Sequence, residues 1–533
     1  MAVYVPESFT ADEADVLRRY FTNLDGPVFA LVNLPEVVKG ALFARYSRSH
    51  KSLRRLFLDE FVGDLDVSGD HSVDATIGLA RAEELYERVF FDYGDDSVAQ
   101  LGGVHLACEQ ASNLLTKILE WGRLMSYLEQ STRYIAYDNR LGGRYRYHRD
   151  PAVLSSSLGT RYVGDLDRIF DAYSRSVDVA TEHVRSTVER GPDVSEFVYR
   201  TATRAKALDA VRGILPAAAT SNVGIYGTGQ AFEALLLRMR SNPLPEARDY
   251  ADLMLHELRK VIPSFLRRVD LPERGGRWSE YLATTRNDTA TLVSELFGST
   301  PVEPAAEVEL VDFDPEAEDK LLAAICYSHS TLPEHQLLDR VRQLGADERV
   351  SLIRAYVGDR ENRRHKPGRA FERSFYRFDV LSDYGAFRDM QRHRMLTIEW
   401  QRLTPNHGFT RPELVTEAGL GREFDDAMER SAGLYDALSN EFPQQASYAV
   451  SMAYRIRYAM QFNAREAIHM LELRSSPQGH PSYRRVALEM HRLIGEQAGH
   501  HAIAASMNHM TTEAPELERL EAERRAEARR DGA

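Results

Sequence analysis

The chain has 533 residues, 43% of them hydrophobic and 28% charged, which suits two or more domains and excludes a wholly disordered protein. A formal charge of −13 runs against a protein that coats nucleic acid, and only two cysteines, Cys108 and Cys326, exclude a disulfide framework or a cysteine zinc site. No apolar run approaches the roughly 20 residues of a membrane helix, and the mixed start MAVYVPESFTADEADVLRRY does not read as a signal peptide, so a soluble cytoplasmic protein is expected.

Most of the chain reads as helix. Leu106, Ala107, Ala111, Leu114, Leu115, Ile118 and Leu119 recur at a spacing that predicts an amphipathic helix over 102–120. Similar patterns predict helices over 229–240, 250–268, 421–440, 445–474 and 481–507, with short strands at 133–138 (RYIAYD) and 374–381 (SFYRFDVL). Residues 301–319 hold three prolines, eight acidic residues and no basic one, the composition of an exposed linker. The closing stretch ELERLEAERRAEARRDGA reads as a solvated, fraying helix. The expected division is therefore 1–295, a linker over 296–320, a second domain over 321–512 and a charged tail over 513–533.

The two large parts look related. FEALLLRMRSNP at 232–243 and EAIHMLELRSSP at 466–477 share Leu-x-x-Arg-Ser-x-Pro, pairing Arg240 with Arg474, and 117–134 corresponds in the same way to 388–405.

Three clusters could carry chemistry. Glu129, Gln130, Ser131, Thr132 and Arg133 offer a carboxylate, hydroxyls and a guanidinium that together suit a sugar hydroxyl and a phosphate; they also suit a capped helix start. Arg388, Arg392, His393, Arg394 and Arg402 form a basic group relieved by Asp389 and Glu399. Three adjacent basic side chains cannot share one helix face, so this group points to dinucleotide phosphates or to an acid–base network between subunits. Asn463, Arg465, His469 and Arg474 recur at near-helical spacing beside apolar residues, as in a helix that lines a cleft or in a solvated face. His500, His501 and His509 lack a carboxylate-supported ligand pattern, so no metal is expected. DRENRRHKPGR at 359–369 is rich in Arg and Lys, but the acidic total and the missing aromatic residues speak against RNA binding.

Arg392-His393-Arg394, then Asn463-Ala464-Arg465 on a helix that ends in Leu471-Glu472-Leu473-Arg474, resembles the flavin-dependent thymidylate synthase (ThyX) family. The first part adds Arg212-Gly213-Ile214-Leu215-Pro216 and Glu129-x-Ser131-x-Arg133-Tyr134, also in family order. The resemblance covers roughly 95–265 and 360–510 and implies an α+β, helix-rich fold with a small antiparallel sheet, present as two tandem copies.

The departures from the family pattern are complementary. Trp121-Gly122-Arg123 stands where the first copy should have Arg-His-Arg, while Ser131 is kept; the second copy keeps Arg-His-Arg but has Arg402 in place of the serine. The first copy keeps Arg212, whereas the corresponding QQASYAVS has no arginine; the second keeps Asn463 and Arg465, against Gly229 and Ala231. By resemblance, Glu129, Gln130, Ser131, Thr132, Arg133, Arg212 and Arg240 would hold the nucleotide, and Arg392, His393, Arg394, Asn463, Arg465 and His469 the flavin. Arg474, with Arg240 as its counterpart, would be the cation that stabilises negative charge on the pyrimidine. The implied reaction is reductive methylation of dUMP to dTMP with FAD as cofactor and methylenetetrahydrofolate and NADPH as co-substrates. It needs no thiol nucleophile, in keeping with Cys108 and Cys326 lying in apolar patterns. The resemblance also implies a homo-oligomer, a dimer of tandem chains mimicking the family tetramer, with composite sites between halves. A related flavin-dependent pyrimidine methyltransferase and an inactive flavin- or nucleotide-binding relative are the alternatives.

Overall fold

In the computed structural model each copy builds the same four-stranded antiparallel sheet. The structure describes residues 4–34, 39, 42, 43, 46, 49–60, 103–513 and 515–531. The first sheet has the order β1-β2-β4-β3, from Val28–Leu31, Gly103–Ser112, Met125–Glu129 and Thr220–Thr228. The second has the order β5-β6-β8-β7, from Val308–Phe313, Phe375–Asp383, Leu396–Trp400 and Arg455–Asn463. Registers agree as well: Met125 pairs with Gly227 at the start of β3, and Leu396 with Phe462 at the start of β7. The fold is α+β and duplicated.

Several elements differ from the sequence expectation. Residues 103–112 form β2, and only Asn113–Leu119 is helical, started by the Ser112 hydroxyl accepting from the Leu115 N–H. β2 is paired on both sides and almost wholly buried, so it carries no alternation to distinguish it from a buried helix. The 445–474 pattern divides in the same way into β8 and the helix Ala464–Arg474. RYIAYD forms turns, whereas SFYRFDVL lies at the start of β6. The 481–507 pattern breaks into Pro481–Glu496 and His501–Ala505 around Gly499, whose φ of 72° suits a residue without a Cβ. The acidic stretch expected as linker contributes β5, whose Val308 and Leu310 are buried. The tail forms a helix, Leu520–Asp531, preceded by a buried Arg519 that pairs with Asp209 at 3.0 Å.

The chain forms two compact units that do not follow the tandem boundary. The first unit contains Met1–Ser174, Ile214–Val302 and Glu429–Ser451; the second contains Arg175–Gly213, Glu303–Met428 and Met452–Ala533. Each copy thus gives one segment to the unit built on the other copy's sheet. Tyr448, from the second copy, donates to Glu246 at 2.7 Å in the first unit, where Glu246 also accepts from the Ser112 hydroxyl at 2.6 Å. Residues 175–213, from the first copy, bring Arg212 into the second unit. No helix among the described residues is long and apolar enough to cross a membrane.

Candidate functional site

In the second unit, two strand-to-helix junctions of β6 and β8 supply the framework of a polar site. β6 runs into the helix Tyr384–Met390, capped by Asp383, whose carboxylate accepts from the Ala386 N–H at 2.8 Å. β8 runs into Ala464–Arg474, capped by Asn463, which accepts from the Glu466 N–H at 2.9 Å. Residues 391–395 link the first of these helices to β7 as a loop, which settles how three basic residues can adjoin: His393 is buried, while Arg392 and Arg394 are exposed on either side of it.

Arg474, in the last turn of its helix, donates its Nε–H to His393 Nε2 at 3.0 Å. The Nδ1 of His393 lies 3.1 Å from Glu466 Oε1. Arg474 also lies 3.8 Å from Asp389 and over the ring of Tyr483. Asp389 is a meeting point, since Arg212 approaches it at 3.4 Å and Arg392 at 4.0 Å. Three arginines from three elements therefore converge on one carboxylate. Arg212 follows the helix Glu196–Val211 and is 3% exposed. A Cβ on Gly385 would lie 3.3 Å from its Nη2, so the bare glycine backbone gives the guanidinium its place. Arg212 and Gly385 also border a cavity of about 610 Å³ shared with Asp383, Met452, His480 and Arg485. That volume suits a small organic ligand.

Electrostatics sets the protonation of the cluster. Burial, then Arg474 and His469, hold His393 neutral well below the usual imidazole range. Burial with Lys366, Arg363 and Arg474 pushes His469 down to about 4. Burial lifts Glu466 to about 7, against the pull of Lys366, Arg465 and Arg394. His393, Glu466 and His469 offer ligand atoms within 4.8 Å of one another, a spacing that could hold a metal ion and that sequence reading did not anticipate. The surrounding Lys366, Arg363, Arg465, Arg394 and Arg474 make the field positive, and Arg474 already takes one His393 nitrogen. This setting favours an anion over a cation.

The remaining predicted residues are distributed differently. Arg465 is tied to the Pro367 carbonyl at 2.9 Å and to Glu372 at 3.1 Å, and Asn463 acts as a helix cap. In the first unit, Glu129 is buried 3.2 Å from Lys117, which also pairs with Glu120. Gln130 donates from its side chain to the Ser49 carbonyl at 2.7 Å, Thr132 is buried, and the Ser131 hydroxyl accepts from the Arg133 N–H at 3.2 Å in a turn. The Glu129 and Gln130 side chains are thus engaged by partners within the protein. Arg240 forms an ion pair with the largely exposed Asp252, so its expected catalytic role is not supported by its surroundings.

The counterpart of His393 is Gly122, where a Cβ would fall 2.5 Å from Tyr127 Oη, so a side chain there requires Tyr127 to shift. Counting back from Arg240, Phe232 and Leu235 stand where the second copy has Glu466 and His469. The displacement that relates β4 to β8 puts Ser447 opposite Arg212, and Thr228, the cap of Gly229–Arg240, opposite Asn463, correcting the assignment of Gly229 to that place. Neither Asp389 nor Glu466 belongs to the resemblance; the Asp-x-x-Arg-His-Arg order and the Glu466/His469 spacing were the available signals.

Duplicated ThyX-like sheets, with an Arg-His-Arg loop beside an Asn-capped helix that ends in arginine, define the class. The model of the family described as thymidylate synthase complementing protein matches residues 44–264 and 309–498, and the chain belongs to that family. It is 38% identical over 489 residues to a UPF0159 protein of Chlamydia muridarum, covering 90% of this chain and 92% of the relative. A UPF0159 protein of Chlamydia pneumoniae is 38% identical over 494 residues, covering 92% and 93%. One of Thermoplasma acidophilum is 30% identical over 521 residues, covering 93% and 99%. Among solved structures, a UMP/dUMP methylase, PolB from Streptomyces cacaoi bound with 5-Br dUMP, matches with 21% identity and a TM-score of 0.29, over 37% of this chain and 94% of that one.

Proposed function

We propose that this protein is a flavin-dependent methyltransferase of the thymidylate synthase type. It would convert dUMP to dTMP with FAD, taking the one-carbon unit from methylenetetrahydrofolate and electrons from NADPH. Membership of the thymidylate synthase complementing family supports the general class. The observation that carries the reading is the convergence of Arg212, Arg392 and Arg474 on Asp389 beside His393, all within the second unit.

The chemistry of the donor set fits an anionic nucleotide and a dinucleotide cofactor. Arg212 is suited to the phosphate of the nucleotide and Arg392 to a phosphate of the flavin cofactor, because a guanidinium binds phosphate oxygens through two parallel N–H donors. Arg394, Lys366 and Arg363 supply a positive rim for a pyrophosphate, and the depression of His469 registers that field. Arg474 stays charged and acts by electrostatics: it favours negative charge on the pyrimidine without donating a proton to it. Its partial burial strengthens this effect, since water screens it less than at the surface. Flavin, when bound, supplies the hydride chemistry that no side chain can. Burial raises both Cys108 and Cys326 above the usual thiol range, so neither is poised as a nucleophile. A dimer of tandem chains working in the cytoplasm is part of the same proposal.

The test is NADPH oxidation by the FAD-loaded protein with and without dUMP, alongside rescue of a thymidine-requiring bacterium. Oxidation stimulated by dUMP together with rescue supports the reading. A protein that cannot be loaded with flavin and does not rescue overturns it.

A further inference from the structure

We propose that Glu466 is a positioning residue for Arg474, acting through the tautomer of His393. The inference rests on reading Arg474 as the cation that faces the pyrimidine. A neutral imidazole carries one N–H and one lone pair, and which nitrogen holds the proton is set by its partners. Arg474 Nε–H can only donate, so His393 Nε2, 3.0 Å away, must be the acceptor. The ring proton then sits on Nδ1 and points at Glu466 Oε1, 3.1 Å away. One oxygen of Glu466 can accept whether or not the carboxyl is protonated. The relay therefore runs from Glu466 through His393 to Arg474 and fixes one edge of the guanidinium.

Remove the acceptor at 466 and the buried Nδ1–H has no partner there. The Nδ1-protonated form then loses its second partner, an unpaired buried donor being costly, and Arg474 alone is left to hold the tautomer. Whenever the proton moves to Nε2, it faces Arg474 Nε–H, donor against donor, and the guanidinium must turn away. The first copy shows where such an arginine goes. With Gly122 in place of the histidine, and an apolar residue in place of the acid whether the helices are aligned at their caps (Ala231) or at their last arginines (Phe232), Arg240 pairs with Asp252. His469 lies against His393 with ring centroids 5.5 Å apart, and Lys366, Arg465, Arg394 and Asp389 are the other charged groups that act on this pair. The three cations have no lone pair to accept the Nδ1 proton, and the acceptor at hydrogen-bond distance from Nδ1 is Glu466 Oε1.

The experiment compares E466Q, which keeps an oxygen acceptor, with E466L, which does not. The full chain is labelled with 15N-histidine, and the His393 signals are assigned by their loss in H393Q. Wild type and E466Q are expected to show the Nδ1-protonated pattern and E466L the Nε2-protonated one. With dUMP as substrate, E466L should lower kcat by about 10- to 100-fold with KM changed less than about threefold, and E466Q should recover most of that loss. An Nε2-protonated His393 in the wild type overturns the proposal even if E466L fails to fold. So does a folded E466L with the wild-type tautomer and kcat, or equal losses in both variants. If the wild type shows no turnover with dUMP, the functional reading fails, while the tautomer comparison still decides whether Glu466 governs His393.

Discussion

Arg474 and His393 are joined by a hydrogen bond of 3.0 Å in which the guanidinium Nε–H donates to the ring Nε2. The arginine lies at the end of the helix Ala464–Arg474 and the histidine in the loop before β7, so the bond ties together two elements that the chain separates by 81 residues. One of the outer guanidinium nitrogens lies 3.8 Å from Asp389. Arg474→Ala should therefore lower kcat with dUMP by about 100- to 1,000-fold, the range for losing a preorganised charge contact. Arg474→Lys should recover little, because an ammonium cannot reach both His393 and Asp389. Steady-state kinetics checks both, and wild-type kcat in Arg474→Ala would remove this residue from the mechanism.

Arg212 is the first copy's contribution to the second unit. Its replacement by alanine should weaken dUMP binding about tenfold or more, since a charge-assisted hydrogen bond contributes about 1.5–3 kcal/mol. The effect should fall on KM or Kd more than on kcat, and titration with dUMP measures it directly. An unchanged affinity would mean that Arg212 serves only to balance Asp389.

Glu466 makes stability depend on pH in a defined direction. Its folded value of about 7 lies above the ordinary 4.5, with burial as the main cause. Between those values the folded protein holds a proton that the unfolded chain has released. The group's contribution is therefore fully present below about pH 4.5 and is lost as pH rises through 7. Glutamine does not ionise, so E466Q should gain on the wild type as pH increases. From pH 5 to 8.5 the difference should grow by roughly 2–3 kcal/mol, at about 1.4 kcal/mol per unit of pKa difference. Urea unfolding at the two pH values measures this. A constant difference would show that Glu466 ionises as an ordinary carboxyl.

The helix that carries Arg474 is anchored by a buried pair. Arg360 holds Glu472 through two hydrogen bonds of 2.7 and 2.6 Å and also donates to the Ser506 carbonyl. Removing one partner leaves a buried charge, so Arg360→Ala should destabilise the second unit by about 3–5 kcal/mol. Replacing both residues with apolar ones should be milder than either single change. Denaturant midpoints decide this, and a single change within about 0.5 kcal/mol of the wild type would contradict it.

Much of the duplication was legible because short motifs such as Leu-x-x-Arg-Ser-x-Pro survive in both copies. The arginine at 474 was legible for the same reason, whereas the Arg-His-Arg loop, which the first copy replaces with Trp121-Gly122-Arg123, was legible from its family order alone. The strands were harder. β2 is central and almost wholly buried, β8 is central with alternate residues buried, and each leads directly into a helix, so the apolar pattern of the strand merges with that of the helix that follows. The acidic composition of 301–319 hid β5, where alternate residues, Val308 and Leu310, carry the burial. The exchange of 175–213 and 429–451 between units has no local signature, because it depends on tertiary packing alone. The partners of Glu129 and Gln130, Lys117 and the Ser49 carbonyl, were not legible for a related reason, since the fold brings them together and no short motif does.

The central claim is that the second unit binds a flavin and a uracil nucleotide around Asp389, using an arginine from each copy. Its most direct test is the visible absorption of the FAD-loaded full-length protein during titration with dUMP. A saturable change in the flavin bands, moved to about tenfold higher dUMP by Arg212→Ala, is the predicted result. A flavin spectrum that dUMP leaves unmoved, or a protein that retains no flavin, would contradict it.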